Sequence, residues 1–395
     1  MIDLDEPPAL PALSPEIFDQ LQTHLRVKGP VNAVESLCHA LQEAGDYQAL
    51  FYAMLMKKRV ELGISPYPSG PASEIPHQHH EAYENAIRDA GRIVGQLYLK
   101  KHEYGKAWFF FRMLDEPEPV IEAIDHFKFD PDQDCQSIIE VALYQGVHPK
   151  KGFDLALERY GICSSITIFS SQDWSKNIEA KEHAISKLVN SLYEQLKERL
   201  RNDIEGRGEK VAEGADVVEM IRGRDSLFED GAYHIDTSHL SSIVQFSMEL
   251  SHGEALAKAR QLCSYGEKLG AQFKHDADPP FENTYADYRV LLEIFDGHEV
   301  EAGLKHFRDK IEPAFAEGAT FPAEIFVNVL LRLHRNEEAL EVAKQYLGGV
   351  SRQMVCPNLY DLCQQQKNFT TWAEAARQRA DGVNFLASLI QMEKK

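Results

Sequence analysis

The residues best suited to chemistry form the pattern His234-x-Asp236-x-x-His239, which lies immediately before a predicted helix. Two imidazoles and a carboxylate this close together are suitable ligands for Zn²⁺ or Fe²⁺, and a distant Glu or His could supply a fourth. The pattern has a second interpretation, because Asp236 or Thr237 is a typical helix N-cap and His239 would then lie in the first turn. The sequence therefore predicts either a metal site formed by His234, Asp236 and His239 or an ordinary capped helix.

A second group of imidazoles, His77-Gln78-His79-His80, closes the Pro/Gly-rich segment 63–77. His80 and Glu84 are four residues apart, so on a helix they could share a metal ion. The group also fits a solvated helix start with acidic residues in its first turn. Signatures of other chemistry are missing, since the chain has no HExxH, no GxSxG and no glycine-rich phosphate loop.

Helices must position these residues, because apolar residues recur with a 3.6-residue period along most of the chain. The segment 320–349 shows the period best, as two helices joined by a predicted turn at Asn336-Glu337-Glu338 and stopped by Gly348-Gly349. The apolar stripes of the two helices are Ile325, Phe326, Val329, Leu330 and Leu333, and then Ala339, Leu340, Val342, Ala343 and Leu347. An isolated helical hairpin cannot bury such stripes, so copies are expected on either side.

Similar openings of a second helix recur at Ala255, Ala302, Ala339 and Ala373, with spacings of 47, 37 and 34 residues. A further copy, Glu103-Tyr104-Gly105-Lys106-Ala107, extends the pattern to the N-terminal half. At these positions the chain resembles the tetratricopeptide-like superfamily, whose helix–turn–helix repeat has roughly 34 residues. The resemblance implies an all-α fold in which the hairpins form a right-handed superhelical stack, an α-solenoid.

The resemblance also implies a concave groove that binds a peptide or a partner helix through polar residues of each first helix. The positions whose helical phase leaves them off the apolar stripes are Thr284, Asp287, Arg289, Asn328, Arg332 and Arg335. Arginine suits this role because its planar fork pairs with both oxygens of a carboxylate. The same six residues are equally compatible with plain solvent-facing positions.

The composition of the chain and the positions of its Pro and Gly residues divide it into four predicted parts. These are a flexible arm at 1–13, a helical-repeat region at 14–204 with the Pro-rich loop 63–77, a charged linker at 205–215, and C-terminal repeats at 216–395. One long helix is predicted from Asn177 to about Ile204, with an apolar face formed by Ala184, Ile185, Leu188, Leu192, Leu196 and Leu200. The window 162–171, ICSSITIFSS, has a strand-like composition, and a helix start is favoured over an extended segment.

The 395 residues carry a net charge of −20, from 62 Asp and Glu against 42 Lys and Arg. This balance disfavours binding to nucleic acids and to anionic membranes, which requires clustered basic residues. Six scattered cysteines without a Cys-x-x-Cys pair predict reduced thiols and a cytoplasmic location. The N-terminus lacks the features of a signal peptide, and no run approaches the ~20 apolar residues of a membrane span.

Together these patterns favour a non-enzymatic cytoplasmic scaffold without a cofactor, which binds a protein or peptide partner. The alternative is a metal-dependent enzyme with Zn or Fe at His234, Asp236 and His239, in a pocket covered by the loop 63–77. A third hypothesis is a homodimer formed through the apolar surface of the tail.

Overall fold

The computed structural model describes residues 13–67, 75–132, 134–274, 277–350 and 352–393, and none of these residues lies in a β-strand. The all-α prediction is therefore confirmed for this part of the chain. The predicted arm 1–13 lies outside the described residues except for Leu13, and only the two ends of the predicted loop 63–77 are described. The chain folds as two compact units, of which the first ends at Gly161 and the second begins at Ile162.

The N-terminal unit consists of helices that pack mainly on their neighbours in sequence. They are α1 (Pro15–Lys28), α2 (Pro30–Ala44), α3 (Tyr47–Glu61), α4 (His80–Lys100), α5 (Tyr104–Leu114), α6 (Glu118–His126), α7 (Gln136–Ile139) and the first part of α8 (Pro149–Ser171). The core between α3, α4 and α5 contains Leu50, Val94 and Ala107. Ala107 is completely buried, as a small residue at a close crossing of two helices must be.

The boundary between the units lies inside α8, where Gly161 interrupts the helix with φ 73° and ψ 177°. A side chain would strain this conformation, so glycine allows the helix to be interrupted at this residue. The window 162–171 that follows is helical, which agrees with the favoured interpretation of its sequence. The division at Gly161 differs from the linker predicted at 205–215, because the helix before that linker packs on helices that follow it.

The C-terminal unit is built around the 29-residue helix α9 (Ile178–Gly206). All six residues of its predicted apolar face are fully buried, and α9 packs on α10, α11 and α12. The remaining helices are α10 (Val217–Ile221), α11 (Thr237–Phe246), α12 (Glu254–Lys268), α13 (Thr284–Phe295), α14 (Val300–Asp309), α15 (Ile311–Ala316), α16 (Phe321–Arg332), α17 (Asn336–Val342), α18 (Leu359–Gln365), α19 (Phe369–Gln378) and α20 (Gly382–Glu393). Segment 320–349 thus forms the predicted hairpin of α16 and α17, the latter continued by a π-helical turn at Ala343–Leu347.

One turn geometry recurs where paired helices meet. In the α16–α17 hairpin, His334 has φ 58°, and the N–H of Arg335 donates to the carbonyl oxygen of Leu330 at 2.8 Å. This bond satisfies a carbonyl group at the end of the first helix, as in a Schellman cap. The same turn occurs with Gly45, His102, Asp115, Gly297, Lys367 and Ala380 as the left-handed residue.

The structure differs from the predicted hairpins in two details. Asn336, Glu337 and Glu338 form the first turn of α17 instead of the connecting turn, a position where carboxylates interact favourably with the helix dipole. Ala302 is exposed, and the buried small residue of α14 is Gly303, where a Cβ atom would lie 2.5 Å from Ile294. In the described residues, no helix is both long and apolar enough to cross a membrane.

Candidate functional site

His234 lies within the C-terminal unit, with both ring nitrogens engaged. Its Nε2 is 3.1 Å from Oδ2 of Asp203 on α9, and its Nδ1 is 3.1 Å from the hydroxyl of Tyr265 on α12. The backbone N–H of His234 donates to the same hydroxyl at 2.7 Å. The Tyr265 hydroxyl therefore accepts from the backbone and can donate to Nδ1, while Nε2–H donates to Asp203. Burial raises the pKa of Tyr265, which keeps this donor protonated.

Asp236 is the N-cap of α11, as the cap interpretation expects. Its Oδ1 accepts hydrogen bonds from the backbone N–H groups of Ser238 at 2.8 Å and His239 at 3.2 Å. The Ser238 hydroxyl also donates to this oxygen and is the main cause of the lowered pKa of Asp236. The carboxylate is thus directed at the helix terminus, and His239 is in the first turn.

The surroundings of these residues are those of a structural cluster. Arg207 is the main reason for the lowered pKa of Asp203, with a smaller contribution from the His234 hydrogen bond. Among the described residues, no three His, Cys, Asp or Glu side chains are arranged to hold a metal ion. A metal at His234 would have to replace its bonds to Asp203 and Tyr265, so the metal centre stays a prediction to be tested.

The second imidazole group lies in the N-terminal unit, at the start of α4. Nε2 of His80 is 2.6 Å from the carbonyl oxygen of Ile75, so this nitrogen bonds to the backbone. The rings of His77 and His80 are tilted against each other, with centroids 5.2 Å apart. These contacts order the beginning of α4 and leave the metal interpretation of this group without further support.

On α13, the three predicted groove residues interact within the chain. Asp287 is only 1% exposed, and its Oδ1 is 2.7 Å from both Nε2 of His306 and Nζ of Lys310. Thr284 is buried as well. Arg289 pairs with Glu267 and Glu293, and the Glu267 hydrogen bond is the main cause of its raised pKa.

The other three predicted groove residues lie on α16 or just after it, and they also bond to their own chain. Asn328 donates to the carbonyl oxygen of Val355 at 2.8 Å, and Arg335 pairs with Glu301 and Glu338. The six predicted residues therefore do not converge on one free polar surface, and their role in partner binding stays a prediction.

Arg332 connects α16 to a distant part of the C-terminal unit. Its guanidinium donates to the carbonyl oxygens of Met248, at 2.8 Å, and Leu250, and it stacks over the Phe295 ring at 3.5 Å from the centroid. Burial lowers the pKa of Arg332, and the negative charges of Glu182 and Glu249 oppose this effect. Its planar fork thus satisfies two carbonyl groups that follow α11.

A cleft of about 480 Å³ in the C-terminal unit was not predicted from the sequence. Its lining includes Phe315 and Tyr346, whose ring centroids are 5.1 Å apart, and the segment Gly348–Val350, in which Gly349 is exposed. Lys344, Glu374 and Arg379 supply charges, and Lys344 lies 3.8 Å from Glu374. The sequence signal was Gly348-Gly349, which the periodicity marked only as a helix stop. The volume falls within the ~300–1,000 Å³ range of ligand pockets.

Replacing His234 with Ala should lower the free energy of unfolding by about 1–3 kcal/mol, because it leaves the buried Tyr265 hydroxyl and the Asp203 carboxylate short of a partner. Denaturant unfolding measures the change. The matched control is His298→Ala, which removes an exposed imidazole 3.3 Å from Asp296 and should have little effect. Near-stoichiometric Zn or Fe in the purified protein, lost in a His234→Ala/His239→Ala double variant, would instead support the metal hypothesis.

Replacing Arg332 with Lys should destabilise the protein by about 1–3 kcal/mol, because an ammonium group cannot stack on Phe295 and donate to both carbonyl groups in the same geometry. Arg335→Lys, three residues further along the chain and just before α17, is the matched control, and it should leave the unfolding midpoint close to that of the natural protein. Equal midpoints for the two variants would contradict the structural role of Arg332.

Comparisons with known proteins assign no family to this chain. No protein-family model matches it, and neither a curated protein nor a solved structure is significantly similar to it.

Proposed function

We propose that this protein is a non-enzymatic interaction module that binds a short peptide segment of a partner protein. The observation that carries the proposal is the cleft next to Gly348–Val350, which combines two aromatic side chains, the exposed residue Gly349 and both signs of charge. A peptide offers matching groups, because apolar side chains pack on rings while backbone and charged groups form polar contacts. A volume of about 480 Å³ accommodates only a few side chains, so the bound segment is short.

The proposal includes a tetratricopeptide-like superhelical arrangement of the hairpins. Its support is the recurrence of one hairpin turn in both units and the burial of Ala107, Ala339 and Ala373 early in the second helix of a pair. Stacked hairpins of this kind form an extended concave surface, on which repeat proteins bind their partners. A cytoplasmic location belongs to the same proposal, because all six cysteines are free thiols.

A non-enzymatic role accords with the contacts of His234 and Asp236, the residues best suited to catalysis. His234 bonds through both ring nitrogens, and the Asp236 carboxylate caps α11. Catalysis by a metal at this position would require the imidazole to leave Asp203 and Tyr265. A nucleic-acid partner is not proposed, since the chain carries a net charge of −20.

A bulky residue in the cleft should abolish peptide binding. At Gly349 a Cβ atom would meet nothing within 4 Å, so Gly349→Trp adds an indole to the cleft without a clash at its base. Peptides selected from a random display library on the natural protein are titrated calorimetrically against this variant, and their affinity should fall by about tenfold or more. Gly206→Trp, at another glycine where a Cβ atom would meet nothing within 4 Å, is the control and should bind normally. Failure to select any peptide, or unchanged affinity in Gly349→Trp, would refute the proposal.

Self-association through α20 is a second proposed function. Val383, Leu386 and Ile390 form a stripe along this helix, with exposures of 82%, 58% and 45%. The segment from Gly382 to Met392 contains no charged residue. Two chains of charge −20 repel each other, so a contact between copies is favoured where carboxylates are absent. The occupant we propose for the α20 face is therefore the same face of a second copy.

Light scattering over a concentration range tests this association. The mass should rise toward that of a dimer for the natural protein and stay monomeric for Leu386→Glu, because a carboxylate in the paired stripe would be desolvated opposite another. Ile178→Glu, which changes an exposed apolar residue outside α20, is the control and should still associate. A monomeric mass for the natural protein at all concentrations would exclude the dimer.

A further inference from the structure

Glu324 on α16 is a fully buried carboxylate, with 0% of its surface exposed. A buried charge is costly unless it is paired and hydrogen-bonded, and both oxygens of Glu324 are engaged. Oε1 accepts a hydrogen bond from the Thr320 hydroxyl at 2.9 Å, and Oε2 accepts one from the backbone N–H of Val355 at 3.1 Å. Arg352 pairs with the same carboxylate, through Nη2 with Oε1 and through Nη1 with Oε2 at 3.4 Å. Glu324 therefore joins the start of α16 to the chain around Val355.

This second stretch of chain, residues 352–355, lies outside the helices between the π-helical turn and α18, and we call it the strap. Both backbone groups of Val355 bond to side chains of α16, since its N–H donates to Glu324 and its carbonyl oxygen accepts from Asn328 at 2.8 Å. Glu324 and Asn328 are four residues apart and so lie on one face of the helix. At the other end of the strap, Arg352 reaches the Glu324 carboxylate. The strap is thus attached to α16 at both of its ends.

The attachment of the strap reaches the cleft next to Gly348–Val350. Val350 and Leu359, which line the cleft, precede the strap by two residues and follow it by four. Thr320 lines the cleft as well, and its hydroxyl accepts a hydrogen bond from Nη2 of Arg352 at 2.9 Å and donates to Glu324. Glu324 is bonded to this lining residue without being one itself. The same carboxylate therefore orients one wall residue and fixes the chain that connects two others.

Polar bonds, and not hydrophobic burial, attach the strap. None of its four residues is buried, and Val355 is 56% exposed. A segment with few buried apolar contacts opens at a low free energy compared with the unfolding of the whole domain. Weakening the bonds to Glu324 should therefore release the strap while the helices of the C-terminal unit stay folded.

We propose that Glu324 is a positioning residue for the cleft, and that strap attachment and peptide binding stabilise each other. This inference rests on the peptide-binding function proposed above. Glu324 makes no contact with the peptide and acts through the Thr320 hydroxyl and the course of the chain between Val350 and Leu359. Coupling between two equilibria is reciprocal, so the factor by which the attached strap raises peptide affinity equals the factor by which bound peptide favours attachment.

Hydrogen exchange of the Val355 amide tests the attachment without any peptide. Glu324→Gln preserves the size of the side chain but removes its charge and one acceptor oxygen, so the amide should exchange about tenfold faster or more. Glu301→Gln is the matched control, because it removes an equal charge from an exposed ion pair with Arg335 and should leave this exchange unchanged. Unchanged exchange in Glu324→Gln would overturn the role of Glu324 in attaching the strap.

Arg352→Gln is a second variant, which changes the partner whose side chain is 54% exposed. It should accelerate the exchange of the Val355 amide as well, and it provides the test if Glu324→Gln does not fold. Slow exchange in a folded Arg352→Gln variant would show that the ion pair does not attach the strap.

Peptide titration tests the coupling. Peptides selected on the natural protein are titrated calorimetrically against each variant, well below its unfolding midpoint. Glu324→Gln should lose about tenfold in affinity or more, while Glu301→Gln binds normally. A purely structural Glu324 would lower the midpoint and leave the affinity of the folded protein unchanged, which would overturn the proposal.

The reciprocal measurement uses the natural protein saturated with a selected peptide, in which the Val355 amide should exchange more slowly than in the free protein. Equal exchange with and without peptide would overturn the coupling. If no peptide can be selected, the proposed function fails and the coupling fails with it, whereas the exchange of the Glu324→Gln variant still decides whether Glu324 attaches the strap.

Discussion

Burial of one face of α9 is the constraint on which the C-terminal unit depends. Apolar residues from Ala180 to Ile204 are removed from water along this helix, and α10, α11 and α12 pack on it. Each large aliphatic side chain buried in this way contributes on the order of 1.5–3 kcal/mol, so the hydrophobic contact is the main stabilising term. Polar bonds then fix the position of each neighbour on α9.

Those polar bonds occur along the whole length of α9. Near its start, Oε1 of Glu182 accepts a hydrogen bond of 2.9 Å from the backbone N–H of Ser251, which positions the segment that leads into α12. In its middle, the Tyr193 hydroxyl donates a hydrogen bond to the side-chain oxygen of Gln261. The same oxygen accepts a hydrogen bond from the backbone N–H of Val217, so Gln261 joins α9, α10 and α12. Near its end Asp203 bonds to His234. The His234 cluster is therefore best understood as one of several links that hold neighbouring segments on this helix.

A polar side chain that forms hydrogen bonds within the chain is not available to a ligand. This competition explains where free polar surface remains. A polar group buried without a partner is costly, so polar residues beside a helix stripe are drawn into bonds when another layer packs over them. Asp287 and Arg332 illustrate the outcome, one as a buried carboxylate between His306 and Lys310 and the other as a donor to two carbonyl groups. The Gly348–Val350 cleft and the exposed apolar stripe of α20 lie at the surface of the C-terminal unit instead.

The sequence alone determined the class of the fold and much of its local structure, because helical period, caps and glycine stops depend on residues close in the chain. The buried face of α9, the hairpin of α16 and α17 and the cap at Asp236 were predictable in this way. Only the tertiary structure decided the turn positions, since the left-handed residue can be Gly45, His334 or another type. It also decided the division at Gly161, the burial of Asp287 and the existence of the cleft next to Gly348–Val350. These features depend on which side chains lie opposite one another after distant segments pack, and local periodicity carries no information about that pairing.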